Sequence, residues 1–141
     1  MNREEVLRME AGREIDFLIA QKVMEKSFYS FDSDVPSAVS LKDHRKIPHY
    51  STHAYSAEKA LEKIREKYPV VLLGTTSWDC KVFLPKGVVS SGLTESLPLA
   101  ICRATLLTAI EEESENRVKM LEGRQRFKTF LMRRLRYAKE R

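Results

Sequence analysis

The chain has 141 residues, 43% of them hydrophobic and 32% charged, with a formal net charge of +5 at pH 7. That length suits one domain whose core needs neither disulfides nor a structural metal. No apolar run approaches the roughly 18 to 20 residues of a membrane span, and no charged-then-apolar leader opens the chain, so residence in the cytosol and no membrane partner are expected.

Cys80 and Cys102 are the two cysteines, and both sit among apolar neighbours, as thiols buried in a reducing compartment do. No disulfide is expected, although sequence alone leaves a bond between them open. The charge is unevenly spread. Residues 124–141 hold eight Lys or Arg against the single Glu140, a surplus of +7, so residues 1–123 sum to −2. Such a tail attracts polyanions or an acidic surface, or serves only as a solvated, solubilising helix.

In chain order, Asn2 with Glu5 three residues on marks the start of a short helix. Beyond Gly12, Ile15, Leu18, Ile19 and Val23 recur at helical spacing, which predicts an amphipathic helix over 13–26 with Glu14, Asp16, Gln21 and Lys22 on its wet side. Residues 27–50, with Phe28, Tyr29, Phe31 and Tyr50, hold no sustained period and read as a long loop. Ser51 or Thr52 is placed to cap a third helix carrying Ala54, Ala57, Leu61, Ile64 and Tyr68 on one stripe, stopped by Pro69. Residues 70–73 and 78–84 read as a hairpin of strands, with a third strand over 88–91.

Ser96 then caps a helix from Leu97 to about Glu113, apolar on nearly every side and hence the central buried one. The pattern Val118, Leu121, Phe127, Phe130, Leu131 and Leu135 continues it as an interrupted amphipathic helix with Gly123 as the weak point. Its large apolar residues want a partner, either the chain's own domain or a second subunit.

Three stretches, Glu4-Glu5-Val6-Leu7-Arg8-Met9-Glu10-Ala11-Gly12-Arg13-Glu14, Ile47-Pro48-His49-Tyr50-Ser51-Thr52 and Leu97-Pro98-Leu99-Ala100-Ile101-Cys102-Arg103-Ala104, together resemble the phage ABA-sandwich domain. The resemblance spans roughly residues 3–110. It implies a bacteriophage or prophage protein working in the host bacterial cytoplasm, with helices on both faces of a small sheet. The element order agrees, so the expected fold is α+β, a three-layer α/β/α sandwich around a small, mostly antiparallel sheet, over 1–113, followed by a basic helical arm over 114–141. The chain departs from the family's usual tryptophan- and cysteine-rich material between the first two motifs, and the arm lies outside the shared region. The family carries no reaction that transfers to this chain.

Arg103 stands as a lone cation on an apolar helix, and a buried guanidinium needs a carboxylate, a row of carbonyls or a bound anion. His49, Tyr50, Ser51 and Thr52 lie at a helix entrance, where N–H groups and hydroxyls suit an anion, or simply cap and pack. Trp78 is able to stack on a base or to anchor the core. His44, His49, His53 and Cys80 match no zinc spacing, so no metal is expected, and no cofactor either. No Walker loop, HExxH, nucleophile elbow or Cys-His motif appears, and a binding protein is expected rather than an enzyme.

Two functions are therefore expected in this setting. The first is a counter-defence protein that sequesters a nucleotide-derived immune signal, of cyclic oligonucleotide or cyclic ADP-ribose type, without turnover. Arg103, His49, Tyr50, Ser51, Thr52 and Trp78 would hold this nucleotide-like ligand, in a homo-oligomer built through the C-terminal helix. The second is a nucleic-acid-binding accessory protein using Arg124, Arg126, Lys128, Arg133, Arg134, Arg136, Lys139 and Arg141, with Phe127, Phe130 and Tyr137 for packing or stacking. An adaptor for a host protein leaves no distinguishing trace.

Overall fold

The structure, a computed structural model, describes residues 1–25 and 47–140, the last four of these by backbone alone. Lys26, Phe28, Tyr29, Phe31 and His44 lie outside the described residues, as do Arg141 and the side chains of Tyr137 and Lys139. The fold is α+β, with a three-stranded antiparallel sheet and a long C-terminal helix. It divides into two compact units, Met1–Ile110 and Glu111–Arg141.

In the first unit, Asn2 and Glu5 form a capping box that opens α1 (Arg3–Arg8): the Asn2 side chain accepts the Glu5 N–H at 2.9 Å, and the Glu5 carboxylate accepts the Asn2 N–H. The single regular helix expected over 13–26 is divided. Helix α2 (Arg13–Leu18) passes into a π-helical turn, Ile19–Val23, where the Met24 N–H reaches back five residues to the Ile19 carbonyl. Asp16 is 1% exposed and not on the wet side, because it shares the buried stripe of Ile19, Ala20 and Val23 at spacings of three, four and seven.

Helix α3 (Ala54–Arg65) buries Ala57, Ala60, Leu61 and Ile64. Its N-cap is His53, which makes no side-chain cap bond. Neither Ser51 nor Thr52 caps it, since the Ser51 hydroxyl bonds Asp16 and Gly12 and the Thr52 hydroxyl lies 3.1 Å from His53 Nδ1.

Strands β1 (Val70–Gly74), β2 (Trp78–Leu84) and β3 (Gly87–Ser90) pair in sequence order. Val82 sits opposite Val70 and Val89, and Cys80 opposite Leu72, so these residues share one face and join the helices in a single core. The other face carries Val71, Leu73, Phe83 and Val88, 39 to 52% exposed, around Asp79 and Lys81. Gly74 makes room for Trp78: a Cβ there would meet the Ser77 carbonyl and the indole ring at 2.6 Å.

Helix α4 (Leu97–Glu140) starts at Ser96, whose hydroxyl accepts the Leu99 N–H. Through Ala109 it is the buried centre of the first unit, and its buried Thr105 and Thr108 hydroxyls return to the carbonyls of Ile101 and Ala104. The second unit is the rest of this helix, with no interruption at Gly123. One glycine costs a helix only about 1 kcal/mol against alanine, less than is needed to break so long a run of helical hydrogen bonds.

Candidate functional site

Two of the three sequence motifs meet around Asp16. Its Oδ1 accepts both the backbone N–H and the hydroxyl of Ser51, at 2.8 and 2.7 Å, and its Oδ2 accepts an Arg13 Nη1–H at 2.9 Å. Arg13 also donates to the carbonyls of Ile47 and Pro48, and the Ser51 hydroxyl accepts the Gly12 N–H at 2.9 Å. A buried carboxylate held this way has its charge met by a guanidinium and its lone pairs by N–H and O–H donors. The junction therefore locks the start of α2 to the segment before α3.

The expected ligand residues divide around this lock. Tyr50 and Ser51 are 1% and 0% exposed, inside the core, so neither faces solvent. His49 and Thr52 are exposed; His49 Nδ1 lies 4.0 Å from Asp16 Oδ2, and its ring centroid lies 5.4 Å from that of His53. Trp78 is half-buried against the core and exchanges backbone hydrogen bonds with Thr94.

Arg103 is half-buried and donates from both Nε and Nη2 to the Met9 carbonyl, at 3.1 and 2.7 Å. This carbonyl ends α1, so the guanidinium ties α1 to α4. Burial lowers the pKa of Arg103, and the charge of Glu10 partly restores it.

The thiols are poor nucleophiles here. Burial, reinforced by Asp79 and opposed by Arg65, pushes Cys80 up to about 12. Burial and then Asp16 also raise Cys102, and burial, Cys102 and Asp16 raise the Tyr50 phenol. Both cysteines are free. Among the described residues no group of three or more His, Cys, Asp and Glu is placed to hold a metal, and no helix is long and apolar enough to cross a membrane.

Sequence reasoning missed Arg13 and Asp16. A signal existed: an Arg and an Asp three residues apart, with the Asp on the apolar stripe, is a charged pair headed for the interior.

The second candidate surface is the arm. Arg124, Arg126, Lys128, Arg133, Arg134 and Arg136 are all exposed on continuous helix, and residues 124–136 contain no acidic residue. Two shallow grooves of about 370 and 560 Å³ run along it, and Gln125, Thr129 and Arg133 line both. The Arg134 guanidinium lies over the Phe130 ring, 5.7 Å from its centroid. Arg124, Lys128, Arg133 and Arg134 have no Asp or Glu three or four residues away in either direction, the spacing at which a helix neutralises itself.

No family model and no curated protein matches the chain. Among solved structures it is similar to a phage protein from Bacillus cereus ATCC 14579, determined at 2.0 Å, with 27% identity and a TM-score of 0.55. The match covers 73% of this chain and 89% of that one.

Proposed function

We propose that this chain is a phage accessory protein, of the ABA-sandwich kind that its motifs resemble, which binds nucleic acid through its arm and acts by occupancy without turnover. The observation that carries this reading is the run of six exposed cations on residues 124–136, four of which no acidic side chain at helical spacing can neutralise. Phosphate oxygens spaced along a strand offer that missing charge, and arginine meets them with paired donors. Phe127 and Phe130, 63 and 54% exposed, add apolar surface for bases or sugars. The likeness to a phage protein supports the phage setting, and the host bacterial cytoplasm is the compartment proposed for it. A gel shift of duplex DNA by the full chain tests the reading, beside a variant with all six cations changed to Gln. Retention of binding by the variant would remove it.

A second reading, sequestration of a nucleotide-derived immune signal, draws on Arg103, which spends two of its five N–H donors on one carbonyl. With Tyr50 and Ser51 in the core, Arg103, His49, Thr52 and Trp78 would have to meet the ligand. A thermal-shift screen of cyclic nucleotides and ADP-ribose derivatives tests it, and silence from all of them counts against it.

A further inference from the structure

The second unit is divided in charge, with Glu112, Glu113 and Glu115 half-buried and residues 116–136 exposed. Residues 111–123 carry five Glu against Arg117 and Lys119, a net of −3, while residues 124–136 carry +6. A parallel pairing of two such helices sets +6 beside +6, whereas an antiparallel pairing sets each basic half beside an acidic one. The charges also share a face. Glu115, Glu122, Arg126 and Arg133 follow one another at spacings of seven, four and seven, which keeps them on one side of a helix. Turned end for end about residue 124, that face is its own complement: Glu115 meets Arg133 and Glu122 meets Arg126. In the same register Val118 meets Phe130, both exposed, and Phe130 borders the groove that Glu122, Arg126 and Arg133 line.

Helical stability comes mostly from packing of an apolar face, and this helix exposes Val118, Met120, Leu121, Phe127, Phe130 and Leu135. We infer that the arm pairs antiparallel with the arm of a second copy of this chain, and that the acidic half thereby covers the cations that otherwise bind nucleic acid. The second clause rests on the nucleic-acid reading; the first does not. The acidic half of one arm and the phosphates of a duplex then compete for Arg126 and Arg133, so binding of DNA and pairing of arms oppose each other.

Disulfide trapping of the full chain at low salt tests this. One tagged population carries Glu115→Cys and another Arg133→Cys; Cys80 and Cys102 are buried and stay out of the reaction. The expected result is a mixed disulfide dimer when the two populations are combined and little from either alone. In an antiparallel pair, identical positions 18 residues from their counterpart lie about 27 Å apart. Cross-linking of each variant with itself, or no cross-link and a monomer by light scattering, overturns the pairing. Added duplex DNA is expected to lower the mixed yield several-fold. Unchanged yield with DNA bound overturns the competition, while a mixed dimer that DNA neither binds nor disturbs leaves the pairing standing and removes the nucleic-acid reading instead.

Discussion

Asp16 accepts two hydrogen bonds from Ser51, 35 residues further along the chain, one from its N–H at 2.8 Å and one from its hydroxyl at 2.7 Å. With Arg13 on the other oxygen, the carboxylate joins the glycine-arginine start of α2 to the Ile47-Pro48-His49-Tyr50-Ser51 segment. Asp16→Ala removes the carboxylate that meets the Arg13 charge and accepts from the Ser51 N–H, while Arg13 keeps the Ile47 and Pro48 carbonyls and the Ser51 hydroxyl keeps the Gly12 carbonyl. The expected loss of stability is about 3 kcal/mol, from breaking an ion pair with a buried carboxylate and leaving the buried Ser51 N–H short of an acceptor, and urea unfolding measures it. A loss below about 1 kcal/mol would mean that the lock is incidental.

Arg103 should matter to one helix more than to the whole fold. Arg103→Leu removes both bonds to the Met9 carbonyl, at an expected cost of about 1.5 to 3 kcal/mol for hydrogen bonds from a charged donor. Amide exchange is expected to quicken in Arg3–Arg8 while the sheet stays protected. Uniform deprotection of both would contradict the assignment.

Stability should fall at alkaline pH. The Cys80 thiol is held up at about 12 in the folded chain against an ordinary thiol value of 9.0, so between the two the folded state keeps a proton that the unfolded state gives up. Its contribution is complete below pH 9 and is lost as pH rises through that window, with Cys102 and Tyr50, also raised, acting in the same direction. Thermal melts from pH 7 to pH 11 test this, and a flat profile would contradict it. In the native state both thiols are expected to resist a thiol-specific reagent at pH 8.

Much of the fold was legible because local rules settled it. Asn2 and Glu5 announced the first capping box, alternation marked β2 with its ends at Trp78 and Leu84, and the all-apolar run after Ser96 marked the central helix. The failures came where a tertiary partner overrode a local preference. Ser51 is a good cap in isolation, but its hydroxyl oxygen accepts the Gly12 N–H while its O–H donates to the buried Asp16 carboxylate, and helix α3 starts without it. Asp16 reads as a surface residue until Arg13 and Ser51 are seen to satisfy it, and the π turn at Ile19–Val23 leaves no mark on the hydrophobic period. Of the candidate site, the arm cations could be read directly. The burial of Tyr50 and Ser51 depended on which segment packs over them, which one sequence does not state.

Arg133, which lines both grooves of the arm, is expected to contribute more to nucleic-acid affinity than Arg124, which lines neither. Single Gln substitutions compared on one duplex test this. Equal losses would mean that the cations act only as a diffuse charge.

Whether the arm cations hold nucleic acid is decided by how duplex affinity depends on salt. With six phosphates neutralised by Arg124, Arg126, Lys128, Arg133, Arg134 and Arg136, the logarithm of the association constant is expected to fall against the logarithm of salt concentration with a slope of about −5, and each Gln substitution is expected to flatten it by about 1. A slope near zero, or one that these substitutions leave unchanged, would contradict the assignment of nucleic-acid binding to the arm.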